Sequence, residues 1–445
     1  MKKRMGVQNG FACEPANLSR EPAAEARPLG KGSEVVERTI LHCDCNGFYA
    51  SVESVLHPEY RNVPMAVCGN PENRHGIILA KNELAKGYGV QTAETIWQAR
   101  RKCPGLVLAP AHHEEYSRFS KMVNEIYLRY TDQVEPFSID ESWLDVTGSR
   151  KLFGDGKKIA GELRKTVRKE IGLTISVGVS YNKIFAKMGS DYQKPDATTV
   201  ITRENYQKLL WPLPVTELIF VGKACGETLN SMGIRTIGEL AQTRPDRLVK
   251  RLGRMGETLY DYANGLEDSP VLPYDHEREM KSVGNGMTFR RDLVNTEEIE
   301  LGLYTLSDEV AQRLRRYGLK CRTVSVTIKD TSLKSITRQK PLAIPSQLSR
   351  DLFQACLELV HSSWNPNRAI RMLTVTAMNV ISEAEAAWQL SVFETEEDLR
   401  RRQKQEDLER AIDQIRTKFG KESVKRAAVL DNDLGISGSV TEKQE

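Results

Sequence analysis

The sequence predicts an α+β protein built from several domains, and three observations carry that prediction. The chain has 445 residues, several times the usual domain size of roughly 100–200 residues. Between residues 39 and 200, short apolar strands alternate with amphipathic helices, and acidic residues stand where strands end. From 281 to 380 the pattern reads strand, helix, strand, strand, helix, strand, the order of a ferredoxin-like split motif.

Taken in order, residues 1–38 are rich in Ala, Pro, Gly and Glu without apolar periodicity and read as a disordered extension. Thr39 to Cys45 then forms a short apolar strand interrupted by Asp44, and Phe48 to Leu56 an amphipathic helix. Val63 to Cys68 and Gly76 to Ala80 read as strands, 95–103 and 114–130 as helices. Gln133 to Ile139 and Ser142 to Val146 read as strands on either side of Asp140-Glu141. Residues 155–170 predict a helix, and Thr174 to Ser180 a strand in which Ile175, Val177 and Val179 alternate. Residues 201–272 change to short helices with glycine turns, where Thr236-Ile-Gly-Glu239 fits a capping box. A polar linker follows. The split motif comes next, with strands 281–289, 321–329, 334–342 and 369–380 and helices 296–316 and 347–362. The charged stretch 395–418 reads as a solvent-exposed helix with pairs such as Glu406–Arg410.

Composition excludes several classes. Hydrophobic residues make up 40% and charged residues 28%, a globular balance. No apolar run approaches the roughly 18–20 residues that span a bilayer, and a signal-peptide h-region and lipidation motifs are absent. The eight cysteines include no C-x-x-C pair, so reduced thiols in the cytoplasm are expected rather than a zinc knuckle or a disulfide framework. The net charge of +4 argues weakly for nucleic acid, but it hides a local pattern: 313–340 holds nine Lys or Arg against one Asp. Such a stretch either neutralises phosphates or forms a solvated face.

The acids are the informative feature. Asp44 ends a buried strand, and Asp140 and Glu141 lie where one strand gives way to the next. A turn can aim both carboxylates at one spot. Three carboxylates in one pocket repel unless cations compensate them, and hard oxygen ligands suit Mg²⁺. Two such ions can clamp the attacking and leaving oxygens of a phosphoryl transfer. From spacing alone, turn acids and helix caps explain the same residues equally well.

Three ordered motifs resemble the Y-family DNA polymerases, nearest to the bacterial DinB (DNA polymerase IV) branch. They are Cys43-Asp-Cys-Asn-Gly-Phe-Tyr-Ala-Ser-Val-Glu53, Ser138-Ile-Asp-Glu-Ser-Trp-Leu-Asp145 and Val177-Gly-Val-Ser-Tyr-Asn-Lys-Ile-Phe-Ala-Lys187. The resemblance covers roughly 39–393. It implies a right-handed polymerase with a ferredoxin-like palm (39–47 and 112–200), small fingers (48–111), a helical thumb with a helix-hairpin-helix (201–272), a linker (273–284), a β-α-β-β-α-β little finger (285–385) and a tail (386–445). It also implies template-directed, error-prone synthesis past damaged bases from dNTPs on primer-template DNA, with two Mg²⁺ ions, by a monomer without a proofreading domain.

Residue by residue, Asp44, Asp140 and Glu141 match the metal-binding acids, with the backbone carbonyl of Cys45. Backbone N–H groups of Asn46, Gly47, Phe48 and Tyr49 would cradle the triphosphate at a helix start. Tyr49 matches the steric gate that rejects a 2′-hydroxyl, and Lys194 the lysine beside the triphosphate. In the fingers, Glu83 and Lys86 stand where many members carry Tyr and Arg, which keeps a charge but loses a bidentate fork. Gly222 and Lys223 fall in the thumb hairpin, where Phe220 replaces a usual glycine and implies a distorted turn. Arg313, Arg315, Arg316, Arg322 and Arg338 of the basic stretch become phosphate contacts. Gln389, Leu390, Ser391, Val392 and Phe393 resemble the pentapeptide by which bacterial polymerases bind the sliding clamp. The competing readings are another two-metal phosphoryl-transfer enzyme, and a catalytically weak DNA- and clamp-binding protein on the same scaffold.

Overall fold

The computed structural model describes residues 37–69, 76–276, 279–387, 396–425, 429 and 432–436. They form two compact units, one up to residue 276 and one from residue 279 onward. The proposed clamp peptide 389–393 and nearly all of the N-terminal extension lie outside the described residues.

The first unit is organised around Ile40–Cys45, a strand buried at all six positions. It pairs antiparallel on one side with Glu141–Asp145 and on the other with Ile175–Ser180. Val134–Pro136 and Thr198–Val200 complete a five-stranded sheet. The helices His113–Tyr127 and Gly156–Ile171 bury Tyr116, Phe119, Val123, Ile159, Leu163 and Val167 against it. Apolar residues three and four apart along these helices set that stripe. The helix Lys183–Tyr192 lies so close to the sheet that a Cβ on Gly178 would collide with the Ala186 carbonyl.

The expected strand Gln133 to Ile139 is shorter in the structure, Val134–Pro136. Phe137 and Ser138 instead donate their N–H groups to the Glu141 carbonyl at 2.8 and 3.2 Å, and the Ser138 hydroxyl donates to Asp140 at 2.6 Å. These bonds turn the chain one residue before Glu141.

A separate three-stranded sheet joins Ile78–Lys81, Met65–Cys68 and Val107–Pro110 over a small core of Ala66, Ile78, Ala85, Val90 and Ala99. Residues 206–263 are helical, as expected, around Leu210, Leu229, Ile237, Leu240, Leu248 and Leu259. The Thr236 capping box forms in full.

The second unit is a four-stranded antiparallel sheet. Its elements run Ser282–Leu293, helix Thr296–Arg316, Leu319–Asp330, Ser335–Ser346, helix Ser349–Ser363 and Ile370–Ser382. Val324, Val326 and Ile328 face both helices in one core. Thr323 and Ser325, which alternate with them on the other face of the strand, are buried as well.

The C-terminal helix Glu396–Phe419 departs from expectation. It docks on this unit through its acids and bases rather than standing in solvent. Glu406 and Glu409 are buried. Arg410 pairs with Glu383 at 2.8 Å instead of with Glu406. Further along, Leu434 and Ile436 enter the core, and the Leu434 carbonyl accepts the Arg290 N–H at 3.0 Å.

Candidate active site

Strand register assembles the acids. Asp44 stands directly opposite Glu141 across the antiparallel pair, and the Cys45 N–H donates to the Asp140 carbonyl at 3.0 Å. Asp140 sits at the turn, so three carboxylates reach one cleft even though Asp140 and Glu141 are consecutive. The cleft is lined by Asp44, Cys45, Tyr49, Lys81, Asp140 and Lys194, with Glu141 beside them.

Two ammonium groups hold the acids. Lys187 Nζ lies 3.1 Å from Asp44, 2.8 Å from Glu141 and 3.2 Å from Asp191. Lys194 Nζ lies 2.6 Å from Asp44 and 2.7 Å from Asp191. Behind them His42 is wholly buried, with Nδ1 2.8 Å from the Ser190 hydroxyl and Nε2 3.6 Å from Glu141. Burial lowers the His42 pKa to about 4, so the ring is neutral.

Burial pushes Asp44 upward against the pull of Lys187 and Lys194. It raises Asp140 too, with the Ser138 hydrogen bond opposing. In Glu141 burial acts the same way but is outweighed by the neighbouring His42 ring, 3.6 Å away, and the charge of Lys187, which hold it below the usual carboxylate range. Burial would lower Lys187, but Glu141 and Asp44 outweigh it and keep the ammonium protonated.

The residues fit a hard divalent cation. Fully ionised, the four carboxylates Asp44, Asp140, Glu141 and Asp191 outnumber the two ammonium groups by two, which is why burial without a further cation pushes Asp44 and Asp140 upward. All the donors are oxygens, the ligand type hard cations take. The Cys45 thiol is buried and held in its protonated form by that burial, so it adds no soft ligand. Among the described residues no group of three or more His, Cys, Asp or Glu side chains is already set as a metal site. Lysines occupy the space between the acids, and Asp191 offers both of them an alternative partner.

Around the acids, helix Phe48–Leu56 starts at Gly47, whose left-handed φ of 53° turns the strand into the helix. The first-turn N–H groups of such a helix have no intrahelical acceptor, so those of Phe48 and Tyr49 can meet an anion. Asn46 cannot contribute as expected, because its N–H is bonded to the Thr174 carbonyl at 2.9 Å. Its side chain instead accepts from the Asp196 N–H at 2.8 Å and donates to Ser176 at 2.9 Å, which ties the strand end to the loop carrying Lys194. Arg164 and Arg168 grip the Asp196 carboxylate from the other side.

Tyr49 is half-buried, its ring stacked on Tyr116 at 4.1 Å between centroids. Tyr116 is anchored by its hydroxyl, which donates to the buried Glu53 at 2.5 Å. Lys86 stands outside the cleft lining and is paired with Glu83 at 3.0 Å, whereas Lys81, bonded to Thr92 at 3.1 Å, lines the cleft. Nothing in the sequence pattern distinguishes Lys81 from other surface lysines.

In the helical region, Gly222 caps helix Lys223–Ser231 and Lys223 is exposed. Phe220 takes a φ of 69°, in the left-handed region that favours glycine, so a residue with a Cβ holds this turn. In the second unit Arg313, Arg316, Arg322 and Arg338 are exposed. Arg315 is not a phosphate contact. Its side chain is 4% exposed, and its guanidinium is spent on Glu409 and, at 2.6 Å, on Asp413. A buried guanidinium closed on both sides has no donor left for DNA.

Comparison with known proteins accounts for most of the chain. Residues 43–191 match the impB/mucB/samB family, 280–392 its C-terminal domain, and 217–267 a thumb domain described as that of DNA polymerase-iota. The chain is 47% identical over 402 residues to a DNA polymerase IV of Acetivibrio thermocellus, covering 90% of this chain and all of the relative. It is 36% identical over 398 residues to DNA polymerase IV 1 of Bacillus subtilis, covering 88% and 93%. A solved chimeric Y-family DNA polymerase shares the fold at a TM-score of 0.70 and 24% identity, over 77% of this chain and 99% of that one. The chain therefore belongs to the DNA polymerase IV branch of the Y-family DNA polymerases, DNA-directed DNA polymerases of translesion synthesis.

Proposed function

We propose that the cleft at Asp44, Asp140 and Glu141 is where the chain extends a primer 3′ end, using two Mg²⁺ ions held by these carboxylates and the Cys45 carbonyl. The observation that carries this reading is the direct opposition of Asp44 and Glu141 in strand register, with Asp140 at the adjoining turn and more carboxylates than ammonium groups in the cluster. When bound, such ions would supply Lewis acidity toward the 3′-hydroxyl and positive charge toward the pyrophosphate leaving group.

The protein's own groups do the rest. The N–H groups at the start of helix Phe48–Leu56 and the Lys194 ammonium bind the triphosphate. Lys194 moves from Asp44 to the phosphates, and Lys187 stays on Asp191 and Glu141. Lys81 adds a second cation at the rim of the cleft. The Tyr49 ring, backed by Tyr116, lies beneath the sugar and leaves no room for a 2′-hydroxyl. The exposed Arg313, Arg316, Arg322 and Arg338, together with the Gly222–Lys223 helix start, hold DNA phosphates without reading sequence. The peptide 389–393 tethers the enzyme to the sliding clamp. It works as a monomer in the reducing cytoplasm, where its cysteines stay as thiols.

Replacing Asp140 and Glu141 together by Ala abolishes primer extension with Mg²⁺, dNTPs and primed template. Full extension by this double variant would remove the metal assignment.

A further inference from the structure

The C-terminal helix has its polarity reversed. Residues Arg402, Glu406, Glu409, Asp413 and Arg416 recur at intervals of four and three, the spacing at which a helix normally buries apolar side chains. Here that stripe is the docked one. Arg402 reaches Asp351 at 3.2 Å, Glu406 reaches Lys320 at 2.8 Å, and Glu409 and Asp413 close on Arg315. Arg416 reaches Asp308 at 2.8 Å.

The apolar side chains lie on another face. Leu408, Ala411, Ile415 and Phe419 repeat at three and four residues, and Leu408, Ile415 and Phe419 are 59%, 41% and 66% exposed. Arg400, Arg401, Lys404 and Lys418 are exposed along the same side and outnumber Glu397, which pairs with Arg401 at 3.8 Å; Lys418 Nζ lies 5.2 Å from the Phe419 ring centre. An apolar stripe of this kind in water is a cost that a partner removes.

We propose that this outward stripe is a second contact on the sliding clamp, lying on an acidic, apolar-spotted patch beside the cleft that takes the peptide 389–393. The inference rests on the clamp reading of that peptide and extends it. Three features of the helix select this occupant. The helix begins at Glu396, only Glu394 and Thr395 beyond Phe393, so a partner holding the peptide is brought against the helix. The stripe spans about three turns, far short of the roughly 1,200 Å² that a self-standing interface needs. It suits a contact that adds to a primary one through high effective concentration. Its basic border complements an acidic surface and disfavours a second copy of the same helix, which would bring like charges together. The ion-pair ladder on the docked side fixes the helix rigidly, so its ordering cost is met before the partner arrives.

The test measures binding of the full-length protein to the purified clamp of the same organism by calorimetry, without DNA. The variant Leu408→Gln/Ile415→Gln/Phe419→Gln keeps helix-forming residues at exposed positions. Its affinity falls about tenfold, as for a few apolar side chains at an interface edge, while clamp-free primer extension is unchanged. Phe393→Ala, which removes the peptide anchor, loses about a hundredfold. Added salt weakens the wild type more than it weakens Arg401→Gln/Lys404→Gln.

Wild-type affinity in the triple variant, with Phe393→Ala still weak, overturns the second contact and leaves the peptide standing. A drop in the triple variant with Phe393→Ala unaffected overturns the peptide instead and supports the helix. A dimer in sedimentation that the triple variant dissociates assigns the stripe to self-association and also overturns the proposal. Should the triple variant fold poorly, Leu408→Gln alone carries the same comparison.

Discussion

The protein contains two buried clusters of charge that look alike in a list of ion pairs and differ in balance. In the N-terminal unit Lys187 and Lys194 are shared among Asp44, Glu141 and Asp191, with Asp140 close by. In the C-terminal unit Arg315 is shared between Glu409 and Asp413, and the carbonyl of Gln347 accepts from it at 3.0 Å. The second cluster is saturated with donors: Lys320 and Arg416 close on Glu406 and Asp308 nearby, and the Ser349 N–H and hydroxyl also donate to Glu409. The first is short of positive charge, and each of its lysines has more than one acid within reach. A saturated cluster acts as a fastener. An under-compensated one with exchangeable partners can admit further cations and let its lysines move.

The contrast is broken most forcefully at Arg315. Arg315→Met leaves the buried Glu409 and the partly buried Asp413 without a cation, and removing one partner of a buried pair typically costs about 3–5 kcal/mol. Denaturant unfolding reports that loss, and Mg²⁺ does nothing to restore it. The parallel substitution Lys187→Met strips the shared cation from Asp44 and Glu141. It lowers stability by about 2 kcal/mol in a chelator, because Lys194 still covers Asp44. Here Mg²⁺ recovers most of the loss, since a divalent cation takes over the neutralisation. Equal responses of the two variants to Mg²⁺ would erase the distinction between fastener and site.

The two clusters also differ in how far the sequence reveals them. Asp44, Asp140 and Glu141 are legible because strand alternation and a turn suffice to bring them together, and the motifs around them are specific. Helix Thr296–Arg316 is legible from its apolar period, and in the structure the Asn295 side chain caps it. Lys187 is a different matter. Its place depends on how closely helix Lys183–Tyr192 approaches the sheet, which the bare backbone of Gly178 decides. Asn46 looks like part of a phosphate cradle until its N–H is found bonded to Thr174, a residue 128 positions away. Arg315 looks like part of a basic DNA-facing run because its partners come 94 and 98 positions later, from a helix whose docked stripe is charged. Periodicity rules look for apolar stripes, and a helix that buries its ions offers them the wrong face.

The smallest expected effect separates burial from pairing as the source of the contrast. Arg410 makes an ion pair with Glu383 on the same C-terminal helix, at 2.8 Å, as short as the buried contacts. Both partners are over a third exposed, 40% and 35%, so water solvates each charge when the other is gone. Arg410→Ala should therefore shift stability by no more than about 0.5 kcal/mol, and 0.5 M salt should remove even that. Arg315→Met keeps most of its cost in the same salt, because Glu409 and Asp413, 9% and 18% exposed, are screened far less than a surface pair. If both variants lost stability equally, the number of ion pairs rather than their burial would be holding the helix. The saturated cluster would then be no more a fastener than the surface around it.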